Sequence, residues 1–288
     1  MICFLISLKL QQGFLKSMHP IRATEYIELY IHQERVKARR HLSQTPCPQC
    51  MDMGFLITRD SLGYEVSRRC RCWGLDQRIR TFNQARIPVR YLDAHLDGFH
   101  PRDLSGHEAL WRASDFAWSF TPTMKGLLIY GGYGTGKTYL AVSIVRILTL
   151  LRGIPVRFIE FSHLLSALRS QFNQNQTDDL METLIHTPCL VIDELGEGRD
   201  TDWSKSVLEE LITKRYNASA TTLFTTNYDP RLRNRLSQNH LEERIGSRIF
   251  SRLQQMCTPI PMFGLDYRSG SQSASDPISS FEVGSRKA

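Results

Sequence analysis

A glycine-rich segment in the middle of the chain has the residue types and the spacing that phosphate binding requires. Its glycines let backbone N–H groups converge on phosphate oxygens, Lys137 can reach the β- and γ-phosphates, and the hydroxyl of Thr138 can bind Mg²⁺. An apolar run at 127–130 precedes the segment and an apolar-periodic stretch follows it, which is the strand–loop–helix order that such a loop needs. The sequence therefore predicts a site for ATP and Mg²⁺ formed by Gly131, Gly132, Tyr133, Gly134, Thr135, Gly136, Lys137 and Thr138.

Two acidic residues end a later apolar run. Asp193 and Glu194 follow residues 189–192, which read as a buried strand. Carboxylates buried at a strand end are unfavourable unless a cation or a hydrogen-bond donor meets them. Beside a phosphate-binding loop, Asp193 can support Mg²⁺ and Glu194 can polarise the water that attacks the phosphate. Taken alone, the pair is equally consistent with an ordinary strand end.

Polar residues downstream of this pair extend the candidate site. Asn227 ends a third apolar run at 221–226, where its amide could orient water or contact the γ-phosphate. Asn-Tyr-Asp-Pro is also good turn chemistry, and the residues alone leave the two interpretations open. Farther along, helical periodicity over 240–256 predicts one basic stripe on a helix face, or simply a solvated face, formed by Arg244, Arg248 and Arg252.

The chain has seven cysteines, and four of them lie close together near its N-terminal end. The Cys-x-x-Cys and Cys-x-Cys pairs are separated by 19 residues, and a likely hairpin lies between them. Two thiolate pairs bridged in this way can give tetrahedral Zn²⁺ ligation, whereas thiols without metal or a redox pair are the alternative. The predicted Zn²⁺ ligands are Cys47, Cys50, Cys70 and Cys72, with Arg68, Arg69 and Arg71 around the second pair.

The elements that must position these residues alternate between strands and helices. Such alternation predicts an α/β fold with a mainly parallel sheet flanked by helices. The apolar runs are 127–130, 156–161, 189–192 and 221–226, and the amphipathic stretches are 137–152, 162–171 and 204–217. The predicted divisions are a disordered extension 1–18, a helix plus zinc-binding module 19–73, a linker 74–100, an ATPase domain 101–268 and a disordered tail 269–288. Both Met1 and Met18 stay open as the start of the protein.

Composition narrows the class of protein. The 288 residues are 41% hydrophobic and 23% charged, which excludes a wholly disordered chain, a fibrous repeat and a disulfide-rich miniprotein. Most of the net charge of +7 lies in residues 1–100, where 15 Lys and Arg outnumber 9 Asp and Glu. No apolar run is long enough for a membrane span, and an odd cysteine count without a secretion signal predicts a cytoplasmic protein.

Five motifs in a fixed order resemble a known family. GGYGTGKT, VIDELG, TTNY, ERIGSRIFSRL and DYR together resemble the AAA+ ATPases of the bacterial helicase-loader and transposition-helper group, which includes DnaC/DnaI-like and IstB-like proteins. The resemblance covers roughly residues 100–268. The cysteine pairs followed by Ile87-Pro-Val-Arg-Tyr91 are similar to the front end of the zinc-containing members.

The resemblance implies an AAA+ P-loop fold and a role for each matching residue. The Walker A loop is Gly131 to Thr138, and the Walker B pair is Asp193, which supports Mg²⁺, and Glu194, which activates water. Asn227 takes the sensor 1 role, Arg252 with Arg248 the arginine-finger role, and Arg268 the sensor 2 role. An arginine finger acts on a neighbour's γ-phosphate, so the resemblance also implies an ATP-dependent homo-oligomer.

Two functions of different classes stay open. The protein is either an ATP-driven loader that binds single-stranded DNA and a replicative helicase, or an ATP-dependent adaptor that recruits a transposase. The zinc module favours the loader. A zinc-dependent DNA-binding module without ATPase function is a weaker option, and the segment holding Arg231, Arg233 and Arg235 is either surface charge or a DNA contact. An ABC protein and a small-molecule kinase fit less well, because their signature and lid residues are not found.

Overall fold

The computed structural model describes residues 49–50, 55–70, 73–91, 93–172, 178–198, 201–231, 240–264 and 266–267. The predicted extension 1–18, the helix expected within 19–45 and the tail 269–288 lie outside the described residues. So do Cys47, Arg71, Cys72, Arg233, Arg235 and Arg268.

The first described element is the hairpin expected between the cysteine pairs. Strand β1 (Phe55–Arg59) pairs antiparallel with β2 (Glu65–Arg69), so that Phe55 lies opposite Arg69. The turn between them is fixed by Asp60, whose carboxylate accepts hydrogen bonds from the backbone of Leu62 and Tyr64. The hairpin places the ends of both strands side by side, and it confirms the predicted strand pair.

A parallel sheet forms the centre of the main body and confirms the predicted α/β class. Within the described chain it has five strands in the order β4-β5-β6-β3-β7, and each neighbouring pair is parallel. Strands β3, β5 and β6 are buried along their whole length, as expected for central strands covered on both faces. The strands are β3 (Gly126–Tyr130), β4 (Val156–Glu160), β5 (Cys189–Asp193), β6 (Thr221–Thr226) and β7 (Cys257–Pro261).

Helices cover both faces of the sheet. In chain order they are α1 (Leu75–Ala85), α2 (Leu104–Ser119), α3 (Lys137–Arg146), α4 (Phe161–Phe172), α5 (Asp178–His186), α6 (Asp202–Asn217), α7 (Leu241–Ile245) and α8 (Ser247–Met256). Successive strand residues point to opposite faces, so the sheet separates two cores. Leu127 and Ile129 of β3 join the core beneath α1 to α3, whereas Leu128 joins the core beneath α4 to α8.

Residues 74–100, which we expected to be a linker, are packed into the main body. They contain α1 and two short 3₁₀ turns, Val89–Tyr91 and Leu96–Gly98. Ile79, Phe82 and Ile87 are fully buried in the same core as β3 and α3. The break expected at Ile87-Pro88 is real, because α1 ends at Ala85, but the segment on both sides of it contributes core residues.

The edge strand β7 was not predicted from the sequence. It contains Pro259 and Pro261, which cannot donate backbone hydrogen bonds and so argue against a central strand. In the structure β7 pairs only on one side, with β3, among the described strands. An edge position tolerates proline, and so the sequence of β7 lacks the continuous apolar pattern of a central strand.

The prediction of one basic stripe on a single helix over 240–256 was wrong. The segment forms two helices, and α7 ends before Gly246, which has φ 87° and ψ 151°. That conformation interrupts the helix and is readily adopted only by glycine. As a result Arg244 lies on α7 while Arg248 and Arg252 lie on α8, and the three do not share one helix face.

Candidate nucleotide-binding site

The glycine-rich loop joins the buried strand β3 to helix α3, as the sequence predicted. Gly131 has φ 146°, and a Cβ at this position would lie 1.9 Å from the carbonyl oxygen of Met262. Gly134 has φ 72°, and a Cβ there would overlap the carboxylate of Asp266. Both positions therefore need glycine, for backbone conformation and for the close approach of the segment that follows β7.

Lys137 lies at the first position of α3, and only 7% of its surface is exposed. Its Nζ donates hydrogen bonds to the carbonyl oxygens of Gly131 at 2.9 Å and Gly132 at 2.6 Å. The ammonium is thus held on the inner side of the loop, where water is largely excluded. A positive charge in this position is well placed to meet phosphate oxygens.

Thr138 and Asp193 are brought together although 55 residues separate them in the sequence. The Thr138 hydroxyl donates to Asp193 Oδ1 at 2.8 Å, and the hydroxyl of Thr225 donates to the same oxygen. Burial raises the pKa of Asp193, and the two threonine hydrogen bonds oppose that increase. A hydroxyl beside a buried carboxylate is the oxygen donor set that Mg²⁺ prefers, so these two residues fit the cation.

Glu194 lies next to this pair in a left-handed conformation, with φ 56°. Its backbone N–H donates to the hydroxyl of Thr225 at 3.0 Å, which fixes the turn after β5. Burial and the negative charges of Asp193 and Glu160 raise the pKa of the Glu194 carboxyl. A carboxylate with a raised pKa accepts a proton from water more readily than an exposed one, which suits a general base.

These residues surround one cavity of about 550 Å³, a size typical of ligand sites. Its lining combines residues of the phosphate loop and Glu194 with several aromatic rings. The cavity is lined by Arg90, Tyr91, Gly98, Phe99, His100, Arg102, Tyr133, Gly134, Gly136, Lys137, Thr138, Tyr139, Glu194, Thr225, Thr226, Asn227 and Tyr267.

The segment after β7 crosses the phosphate loop. The backbone N–H of Tyr267 donates to the carbonyl oxygen of Gly134 at 2.9 Å, and its hydroxyl donates to the carbonyl oxygen of His100 at 2.8 Å. Its ring lies 5.8 Å from that of Phe99, centroid to centroid. Tyr267 therefore connects the segment after β7 to the phosphate loop and to residues 99–100 at the pocket.

Asn227 lines the pocket, and its amide has a specific partner. Its Nδ2 donates to Glu197 Oε1 at 2.9 Å, and the hydroxyl of Tyr133 donates to the same oxygen at 3.0 Å. Glu197 was not singled out from the sequence. No local spacing identifies it, because both of its partners come from distant segments.

A family model described as IstB-like ATP binding protein matches residues 104–275. The match covers more than half of the chain and includes the phosphate loop and the acidic pair. This chain belongs to the IstB-like ATP-binding family.

Individual relatives of this IstB-like protein are replicative helicase loaders. It is 25% identical over 177 residues to the loader DnaC of Escherichia coli K12, and the aligned region covers 61% of this chain and 69% of DnaC. It is 24% identical over 206 residues to the loader DnaI of Bacillus subtilis, and the aligned region covers 67% of this chain and 65% of DnaI. A crystal structure of the DnaC helicase loader matches with a TM-score of 0.56 and 32% identity, covering 60% of this chain and 99% of that one.

The arginines expected to act on a neighbour lie away from the pocket of this IstB-like protein. Arg248 is 83% exposed at its side chain, and its Nη1 lies 3.7 Å from Glu209 Oε1. Arg252 Nη1 donates to the carbonyl oxygen of Arg248 at 3.3 Å. Neither lines the cavity described above, and Arg268 lies outside the described residues.

Two of the four predicted zinc ligands can be located. Cys50 and Cys70 are both buried and form a small cluster with Leu56 of β1. The other two, Cys47 and Cys72, lie outside the described residues. Within the described ranges no group of three or more His, Cys, Asp or Glu side chains could hold a metal ion.

The sequence reading missed the contribution of residues 89–100 to the pocket. Arg90 and Tyr91 line it together with Thr138. Burial is the largest effect on Tyr91 and raises its pKa. In the sequence, the Ile-Pro-Val-Arg-Tyr motif indicated only a family resemblance, although two of its residues line the pocket.

None of the helices in the described part of the chain is both long and apolar enough to cross a membrane.

Proposed function

We propose that this protein binds and hydrolyses ATP and, in its ATP-bound state, loads a replicative helicase onto single-stranded DNA. The observation that supports ATP hydrolysis best is one pocket that combines the phosphate loop, the Thr138–Asp193 pair and Glu194. Membership of an ATP-binding family supports the nucleotide. Similarity to relatives named as replicative helicase loaders supports the partner.

Each residue at the pocket has a distinct task in this proposal. The loop N–H groups and Lys137 bind the phosphates, and the oxygens of Thr138 and Asp193 hold Mg²⁺. Mg²⁺ would neutralise charge on the phosphate oxygens when bound. Glu194 takes the proton of the attacking water, and Asn227 orients that water. The pocket fits these roles because Asp193 is fully buried and Glu194 faces the cavity.

The substitution Glu194→Gln provides the experiment that tests the proposed partner. The variant should bind ATP normally but hydrolyse it at least about 100-fold more slowly, because the amide cannot accept the proton. Trapped with ATP, it should retain purified replicative helicase on single-stranded DNA at several times the level seen without nucleotide. Glu210→Gln on the outer face of α6 is the matched control.

The same retention experiment is repeated with a transposase in place of the helicase, because the IstB-like family name favours the alternative function of a transposition helper. Retention of the transposase and not of the helicase would overturn the loader assignment. Equal retention with and without ATP would overturn the nucleotide-gated mechanism. Binding to single strands that falls steeply between low and high salt supports a phosphate contact.

We infer that Arg252, with Arg248, acts on the ATP of a neighbouring subunit in a homo-oligomer. The role is supported by the exposed side chain of Arg248 and by the fact that neither arginine lines the chain's own pocket. Arg252→Ala should lower the hydrolysis rate by about 10³-fold while leaving ATP affinity unchanged. Mixing this variant with Lys137→Ala should restore activity, since each supplies the intact half-site that the other lacks. If no mixture recovers ATP hydrolysis, the shared site is contradicted. Arg231→Ala is the control variant for Arg252→Ala.

We propose one Zn²⁺ per chain, bound by Cys47, Cys50, Cys70 and Cys72. The support is that Cys50 and Cys70 lie buried together at the end of the hairpin, as two ligands of one tetrahedral site would. Purified protein should contain about one zinc per chain by elemental analysis. Cys50→Ser should remove most of it, whereas Cys189→Ser, in the sheet, should not. Protein that is folded and free of zinc would refute the site.

A further inference from the structure

Glu197 connects three segments that form the nucleotide pocket, and none of the roles assigned above uses it. Its Oε1 accepts hydrogen bonds from the Tyr133 hydroxyl and from Asn227 Nδ2, at 3.0 and 2.9 Å. Tyr133 belongs to the phosphate loop, Asn227 follows β6, and Glu197 itself follows β5. Both partners line the cavity. One carboxylate oxygen therefore joins the three loops at its rim.

The backbone around Glu197 is held firmly from a second direction. The N–H of Glu197 donates to the carbonyl oxygen of Glu194 at 3.1 Å, which closes a turn with the general base. Arg244 of α7 donates to the carbonyl oxygens on either side, through Nε to Gly196 at 3.0 Å and through Nη2 to Gly198 at 2.8 Å. The guanidinium thus fixes the loop that carries the carboxylate.

This arrangement determines how the Asn227 amide is turned. An ionised carboxylate can only accept hydrogen bonds, so the nitrogen of the amide must face Glu197. Because the amide group is planar, the position of its nitrogen also sets the direction of Oδ1. Without an acceptor at this position, the Asn227 amide could rotate so that Oδ1 and Nδ2 exchange places.

We propose that Glu197 is a positioning residue for ATP hydrolysis, which fixes the orientation of Asn227 and anchors Tyr133 of the phosphate loop beside it. The inference rests on the proposed ATPase function. Glu197 acts through Asn227, and so its loss should slow the reaction more than it weakens nucleotide binding.

The test compares Glu197→Ala with Glu197→Gln. Alanine removes the acceptor, and kcat for ATP hydrolysis should fall by about tenfold or more, since misplacing an orienting group is costly. The affinity for AMPPCP, a non-hydrolysable analogue, should change less than about twofold, because the Lys137 ammonium is held by the carbonyl oxygens of Gly131 and Gly132 and not by Glu197. Glutamine keeps Oε1 as an acceptor and should restore kcat to within about threefold of wild type. Glu210→Ala is the matched control, since Glu210 pairs with Lys214 on α6.

A double mutant separates positioning from an independent effect. In the Asn227→Ala background, Glu197→Ala should cause little further loss of kcat, because residues that act as a unit are not additive. A wild-type kcat in Glu197→Ala would overturn the proposal, and so would fully additive losses. Glutamine that is as damaging as alanine would overturn it as well.

Hydrogen exchange of the nucleotide-free protein gives a measurement that does not depend on hydrolysis. Peptides over 195–198 and 226–229 should exchange at least about threefold faster in Glu197→Ala, while a peptide over α2 should be unchanged. If the wild-type chain hydrolyses no ATP, the proposed function fails and exchange alone decides the positioning role. Unchanged exchange in both peptides overturns that role.

Discussion

Replacement of Lys137 by alanine is expected to weaken ATP binding by at least about 100-fold, which corresponds to ~2.7 kcal/mol. Lys137 is only 7% exposed, and its ammonium lies inside the phosphate loop, where its charge is poorly screened by water. Charge-assisted hydrogen bonds in such surroundings contribute about 1.5–3 kcal/mol each. The affinity is measured by isothermal titration with AMPPCP and Mg²⁺, so that hydrolysis does not interfere.

The control for Lys137→Ala is Lys125→Ala, one residue before β3. Lys125 is exposed and does not line the cavity, so its removal changes the overall charge equally but should leave affinity unchanged. The unfolding temperature of both nucleotide-free variants should stay within a few degrees of wild type. Binding by Lys137→Ala within threefold of wild type would contradict the assignment of this pocket to the triphosphate.

Replacement of Arg215 by methionine is expected to reduce the free energy of unfolding by at least about 3 kcal/mol. The guanidinium is fully buried, and burial lowers its pKa to about 10. Every nitrogen has a partner, so methionine would leave several backbone oxygens without a donor in the interior. The acceptors are the Thr222 hydroxyl at 2.8 Å and the carbonyl oxygens of Leu184 at 2.7 Å, Ile185 at 2.9 Å, Thr187 at 2.9 Å and Thr221 at 2.5 Å.

The neighbouring residue provides the control for Arg215→Met. Lys214 is exposed and pairs with Glu210 at 2.8 Å, one helical turn away on α6. Such exposed pairs contribute about 0.3–0.5 kcal/mol, so Lys214→Met should shift the urea midpoint only slightly. Similar shifts for the two variants would show that the buried hydrogen bonds of Arg215 do not stabilise the fold as described.

The sequence was most informative where chemistry is local. The phosphate loop and the acidic pair can be read from a few adjacent residues, because their function requires those types in that order. The central strands could also be predicted, since burial on both faces makes them continuous apolar runs. The edge strand β7 lacks that pattern, because its prolines are acceptable only where one side is unpaired.

Features that depend on distant partners could not be predicted in the same way. Arg215 and Glu197 look like ordinary surface charges in the sequence, and only the fold brings their partners together. Helix α1 was missed because its apolar residues are few and lie next to Ile87-Pro88, which suggested a break. Gly246 indicates the division between α7 and α8, but the regular spacing of the arginines led to the prediction of a single helix.

Tyr267 connects the segment after β7 to the phosphate loop through its hydrogen bond to Gly134. Phe99 and His100 line the nucleotide pocket, and Tyr267, which lines it as well, contacts both of them. Asp266 lies so close to Gly134 that a Cβ at Gly134 would overlap its carboxylate, and so the segment after β7 adjoins the expected phosphate position. We therefore expect the surroundings of Tyr267 to change when nucleotide fills the pocket.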